Sequence, residues 1–195
     1  MREELKTKYI TNKRFEIYSD LNTYNNNLKK SKSLYIPLSI LEVSLRNSIN
    51  SLFERLYSRG WLVNEASFLK YKELKKITIA KSKISENSEA ISKDKLVSEL
   101  TFGFWTALFQ SSYDDKMRFT NLKQIFPNLP SKDELLVNRQ ILSTKLNHIR
   151  KFRNRVFHHE NIIKDEFENI EDNIYEILEF FDTELVQYAK DLNNE

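Results

Sequence analysis

The chain has no cysteine. Disulfides, thiolate nucleophiles and cysteine-held metals are thereby excluded, and a reducing compartment fits. Turn residues are scarce as well. Two glycines and three prolines stand in 195 residues, against a usual share of about 7% and 5%. Sheets need tight turns, and tight turns want those residues, so long helices with short connections are predicted. No run of about 18 apolar residues occurs, so no transmembrane helix is predicted. The opening "MREELKTKYI" is charged throughout and does not resemble a signal peptide. These absences predict an all-α, cytoplasmic chain with no membrane partner. Its length suits a single domain over residues 1–195.

Net charge is +3, too small to imply a nucleic-acid partner by itself. The distribution is more telling. Residues 1–60 carry 11 basic and 6 acidic groups, residues 61–130 carry 11 and 8, and residues 131–195 carry 9 and 14. Within the last part the signs segregate. Arg139, Lys145, Arg150, Lys151, Arg153 and Arg155 occur with no acid between Glu134 and Glu160, and Asp165–Glu184 then holds nine acids and no base. A basic helix followed by an acidic one is either a polyanion site beside a neutralising scaffold or a charge-matched antiparallel pair.

Hydrophobic spacing predicts the elements. Phe15, Tyr18, Leu21 and Leu28 suggest a helix over 13–29 that weakens in the Asn run. Leu38, Leu41, Leu45, Ile49, Leu52, Phe53 and Leu56 form the apolar face of the next helix, with Pro37 near its start or kinking it and Gly60 as its stop. Residues 67–83 read as a basic amphipathic helix, and 84–94 as a polar loop. Residues 95–113 are the most apolar and predict a core helix despite Gly103. Phe102, Phe104, Trp105 and Phe109 are read as core rather than as a base-stacking platform. "FPNLP" at 126–130 is the clearest break. Ser131 and Glu134 after it have capping-box spacing, which predicts a helix from near Lys132 to about Glu160. Its apolar line is Leu135, Leu142, Ile149, Val156 and Ile163. A last helix is predicted over about 166–192.

The segment "RKFRNRVFHHE" (150–160), at the end of the helix predicted to about Glu160, holds two of the three histidines. At 100° per residue, Leu142, Leu146, Ile149, Phe152 and Val156 share the core face. Arg150, Asn154 and His158 form a polar stripe at i, i+4, i+8. Arg153 falls toward the core side. It cannot lose its proton, so it needs a carboxylate partner or an opening. Arg153 and His158 lie about 140° apart on an ideal helix. Convergence therefore requires a helix break near the histidines, the arginine's length or a second copy of the helix. Guanidinium grips phosphate and never titrates, whereas imidazole exchanges protons near neutrality. The set suits cleavage of RNA by its own 2′-hydroxyl, with acid–base help and a stabilised phosphorane. No metal and no other cofactor is demanded. The plainer alternative is that adjacent histidines cap the last carbonyls and favour the negative end of the helix dipole.

The segment "FRNRVFHHENII" (152–163) resembles the RNRxxHHE signature of the Abi-like abortive-infection proteins, a branch of the HEPN superfamily. The superfamily's R-N-x3-H is matched by Arg153, Asn154 and His158. "LEVSLRNSINSLF" (41–53) is similar to the family's LE-x3-RN helix, "SELTFGFWTALF" (98–109) to its LxFGFW helix, "IFPNLP" (125–130) to its FPN turn and "RFEIY" (14–18) to its start. The similarity runs in order along nearly the whole chain. One departure is Phe157, where a small residue, often alanine, is common. A large ring there would tighten the space beside His158.

The resemblance implies an all-α, HEPN-like helical bundle with additional N-terminal and middle helices. It also implies a homodimer whose motif helices meet across a cleft, and metal-independent endoribonuclease activity in phage defence or toxin–antitoxin systems. RNA would be the substrate, and an antitoxin RNA or protein a further partner. Arg153 would bind and polarise the phosphate, His158 would be the acid–base group, and Asn154 would orient His158 or the ribose. His159, Glu160, Arg150, Arg155, Glu42, Arg46 and Asn47 would support the site or bind RNA. Glu42 and Arg46 are i, i+4 neighbours, read as lying beside the site with Glu42 holding an arginine, or as a buried pair that only ties helices together. The basic residues 70–83 would either guide RNA by counterion release or form a solvated face, the preferred reading. The alternative function is a non-cleaving regulatory HEPN protein that binds a small RNA or a partner through the same cleft.

Overall fold

A computed structural model describes residues 3–131 and 133–194. Within them the chain forms ten α-helices and no strand: α1 Glu3–Leu5, α2 Asn12–Phe15, α3 Leu21–Leu56, α4 Tyr71–Glu86, α5 Lys93–Glu99, α6 Phe102–Ala107, α7 Phe119–Ile125, α8 Arg139–Phe157, α9 Ile170–Phe181 and α10 Thr183–Asn194. None is long and apolar enough to cross a membrane.

The organising element is α3. Asp20 caps its start by accepting the Thr23 amide at 2.7 Å. Leu34, Leu38, Leu41, Leu45, Ile49, Leu52 and Phe53 are then buried along one side. The separate helix predicted over 13–29 does not form; the chain turns at 16–20, and the Asn run continues into the 36-residue α3. Pro37 lies inside this helix. It has no N–H for the Ser33 carbonyl, and the Asn193 carboxamide of α10 donates to that carbonyl instead. Helices α5 to α10 all pack on α3, while α4 packs on α5 and α6, and α6 packs also on α8.

The apolar stretch 95–113 is two helices, not one. Leu100 and Thr101 are extended between α5 and α6. The Trp105 indole donates to the Leu100 carbonyl at 3.2 Å, taking a group the longer helix would have used internally. Phe102, Phe104, Trp105 and Phe109 are buried, so they are core. The last predicted helix is also divided. Asp182 is extended, its N–H ends α9 on the Leu178 carbonyl, and its carboxylate accepts the Glu184 amide at 2.9 Å at the start of α10.

The motif helix starts later than its capping box predicts. Lys132 lies outside the described residues. Glu134 does accept from the Ser131 amide and hydroxyl, at 2.9 and 2.8 Å, but the pair frames a turn. Leu135 and Leu136 are 53% and 59% exposed, so a helix there would have no core to face. The helix begins at Arg139 instead, capped by Asn138, whose side chain accepts the Ile141 amide at 3.0 Å. It ends at Phe157 rather than at Glu160.

Candidate functional site: a basic groove at the end of the motif helix

The end of α8 is closed by a Schellman turn. The Glu160 amide donates to the Arg155 carbonyl at 2.8 Å, and the His159 amide to the Val156 carbonyl at 3.1 Å. This turn needs a left-handed residue, usually glycine, and here it is His159 with φ 55°. Three outside bonds hold it. The Arg14 guanidinium donates to the His159 carbonyl. The Asn27 carboxamide donates to the Glu160 carbonyl at 3.3 Å and accepts the Ile162 amide at 2.7 Å. Asn27 is only 2% exposed. His159→Gly is expected to raise stability by about 0.5–1 kcal/mol, because the left-handed strain disappears while the unfolded chain gains freedom. Urea unfolding checks this; a loss of stability would mean that the imidazole contacts outweigh the strain.

His158 is the C-cap of α8, its amide still donating to the Asn154 carbonyl at 2.9 Å. His158, Asn154, Arg153 and Arg150 all line one groove of about 770 Å³. Arg153 and His158 of a single chain thus border the same groove. Arg153 meets the need its helical position creates. Its Nε and one terminal nitrogen both reach Glu42 Oε2, at 3.1 and 3.0 Å, in a partly buried pair. Its guanidinium also lies over the Phe157 ring, 4.0 Å from the centroid. Phe157 in turn stacks on Tyr35 at 5.3 Å. The bulky residue at 157 thus turns into a neighbouring cavity lined by Tyr35, Ile36 and Leu192 and does not line the groove beside His158. Its expected tightening of that space is corrected: it backs Arg153.

The charge-matched reading of α8 and α9 holds at Lys145, which pairs with Glu176. The other bases go elsewhere. Arg139 binds Asp114 at 2.6 Å, Arg155 binds Glu160 at 3.0 Å, and Arg150 meets the Asn147 carboxamide at 3.4 Å. The acidic helix therefore pairs with neither groove-facing arginine: Arg153 is held by Glu42, and Arg150 meets a neutral carboxamide. Of the upstream residues, Glu42 holds Arg153, whereas Arg46 and Asn47 do not line the groove; the Arg46 Nε is buried without a hydrogen-bond partner, and Asn47 is exposed. His159, Glu160 and Arg155 line a second cavity with Arg14 and Tyr18, which His158 also borders. His148 lies apart, its ring stacked on Phe167 and bonded to the Glu166 carbonyl. Among the described residues no cluster of three His, Asp or Glu could hold a metal ion.

The basic segment 70–83, read from the sequence preferentially as a solvated face, supplies part of the groove lining. Lys76 crosses from α4 to the Gly103 carbonyl at 3.0 Å. Burial holds its ammonium below the ordinary lysine range; nearby Glu73 opposes this, and the Arg150 guanidinium adds to it. Glu73 itself is 4% exposed and accepts the Tyr113 hydroxyl at 2.6 Å. Burial, then this bond, push the Tyr113 pKa above its ordinary 10.0. The folded state thus keeps the phenol proton more tightly, and this contribution is full below pH about 10 and lost as pH rises through the folded value. Tyr113→Phe is expected to cost about 1–3 kcal/mol at neutral pH and to flatten the alkaline decline, as read by urea midpoints at two pH values. An unchanged midpoint at both would show that the bond does not stabilise the fold.

No protein-family model, no curated protein and no solved structure matches the chain.

Proposed function

We propose that the chain is a metal-independent endoribonuclease of the HEPN type. The observation that carries this reading is the shared groove: Arg153, fixed by Glu42 and Phe157, and the exposed His158 line one basic surface. The resemblance of residues 152–163 to the RNRxxHHE signature supports it independently. The reaction is attack of a ribose 2′-hydroxyl on its own phosphodiester. His158 takes the 2′ proton as the oxygen–phosphorus bond forms. Arg153 stabilises the charge on the phosphorane. The bond to the 5′ oxygen breaks, and that oxygen takes a proton from the imidazolium or from water. The products are a 2′,3′-cyclic phosphate and a 5′-hydroxyl. Asn154, on the same helical stripe, orients His158 or the ribose. In the cell such an activity suits phage defence or a toxin checked by an antitoxin, and the family resemblance implies a homodimer.

The test is RNA cleavage in EDTA by the purified full chain. Fragments ending in cyclic phosphate are expected from wild type. His158→Ala should lower the rate by about 10²–10⁴-fold with its thermal midpoint retained, since His158 is exposed. Equal cleavage by both proteins would refute the assignment. RNA binding without cleavage by wild type would make the chain the non-cleaving regulatory protein instead.

A further inference from the structure

Helix α6 packs on α4 and on α8. It is therefore a floor, and the two longer helices are walls. The motif supplies one wall. The other, contributed by α4, is just as basic: Lys72, Lys75 and Lys76 line the groove opposite Arg150 and Arg153. The one acidic lining residue, Glu73, is buried and bound to Tyr113, with Lys76 3.9 Å from it. Tyr71, the first residue of α4, also lines the groove and is 79% exposed. On the floor stand Thr101, the N-cap of α6, and Gly103 and Ala107 within that helix.

We propose that the α4 wall is a second nucleic-acid contact surface and that the groove takes single-stranded RNA. Tyr71 stacks a base, and Lys72, Lys75 and Lys76 neutralise phosphates flanking the one held by Arg153. This deepens, and rests on, the reading of the groove as an RNA site.

The chemistry and the dimensions agree. Nucleic acid bound as a single strand wants a cationic groove along the backbone and an exposed aromatic face for unstacked bases. A tyrosine ring left in water on a charged helix serves no core. Lysine suits the flanking phosphates, where a mobile point charge suffices, and arginine suits the gripped one. Adjacent helix axes lie about 8–10 Å apart. Two walls across one floor helix thus stand at most roughly 16–20 Å apart at their axes, and helices about 10–12 Å across fill more than half of that. The opening that is left admits one strand and excludes a duplex. The bases of the strand lie against Tyr71, whose face is open to them.

The experiment is fluorescence anisotropy with the full chain and a labelled single strand of 2′-O-methyl RNA. That probe carries no attacking hydroxyl, so binding is read apart from cleavage. Wild type should bind it more tightly than its duplex. Tyr71→Ala should weaken binding by about 5–100-fold, the effect of one lost stack. Lys72→Ala, Lys75→Ala and Lys76→Ala together should reduce the steepness of log affinity against log salt by about two, near 0.7 per phosphate on a single strand. The exposed Lys190, outside the groove, is the charge control, and Lys190→Ala should match wild type. Tyr71, Lys72 and Lys75 are exposed, so the fold should survive, as circular dichroism would verify. Wild-type affinity in the α4 variants, or a duplex bound as well as the single strand, would overturn the inference. If wild type cleaves RNA and the α4 variants bind and cleave equally, this inference fails and the proposed function stands. If the α4 variants lose binding and wild type never cleaves, the reverse holds.

Discussion

Replacing Arg153 with lysine is expected to lower RNA cleavage nearly as far as replacing it with alanine, about 10²–10³-fold, the usual effect of removing one donor to a charged transition state. The reason is geometric. Two of the arginine's nitrogens are already spent on Glu42 Oε2, and its face is covered by Phe157. What it offers a phosphate is its remaining terminal nitrogen, aimed by those two constraints. A lysine has one ammonium. It must either pair with Glu42 or reach the phosphate, and it has no plane to stack. Glu42→Gln should be milder, because Phe157 still backs the guanidinium while the charge that aims it is gone. Single-turnover rates and RNA affinity for the three variants separate aim from grip: Arg153→Lys should keep most of the affinity and lose the rate. A lysine variant cleaving at the wild-type rate would show that Arg153 contributes charge without geometry.

Asn27→Ala is the substitution expected to cost most relative to its size. The side chain satisfies the Ile162 amide and the Glu160 carbonyl, and it is almost wholly buried. Its removal leaves a buried amide without a partner, a loss of about 2–3 kcal/mol with both bonds counted. The same bonds hold the segment that follows His158 and His159, so cleavage should fall as well. Asn27→Asp sorts the two bonds, since a carboxylate accepts from Ile162 but cannot donate to Glu160. Its stability should fall between wild type and alanine. Alanine at wild-type stability would mean that the Schellman turn holds itself.

Much of this was legible because helical periodicity marks what is buried. The α3 face from Leu38 to Phe53 and the Leu142, Leu146, Ile149, Phe152 and Val156 face of α8 are buried as their spacing requires, whereas Leu56, the last residue of α3, is exposed. The need of Arg153 for a carboxylate or an opening followed from its helical angle, and Glu42 supplies the carboxylate. Element ends were less legible. Ser131 and Glu134 form their contact without a helix, because capping chemistry favours a turn wherever nothing apolar follows onto a core. Asp182 ends one helix and starts another with a single side chain, a signal hidden among nine acids. The far wall of the groove was not legible as such. Lys72, Lys75 and Lys76 look the same in sequence whether they face water or an opposing arginine, and only the packing of α6 decides between these.

The long α3 also sets the order in which the molecule can be completed. Its partners α8, α9 and α10 come from the last third of the chain, and the Asn27 bonds span 133 and 135 residues. Long-range closures of this kind form late and slow folding. A polypeptide emerging from the ribosome would present α3 covered only by α5 to α7, and the basic groove without its motif wall. The ribosome's own RNA is the nearest polyanion at that moment, and it meets a chain whose groove is still incomplete.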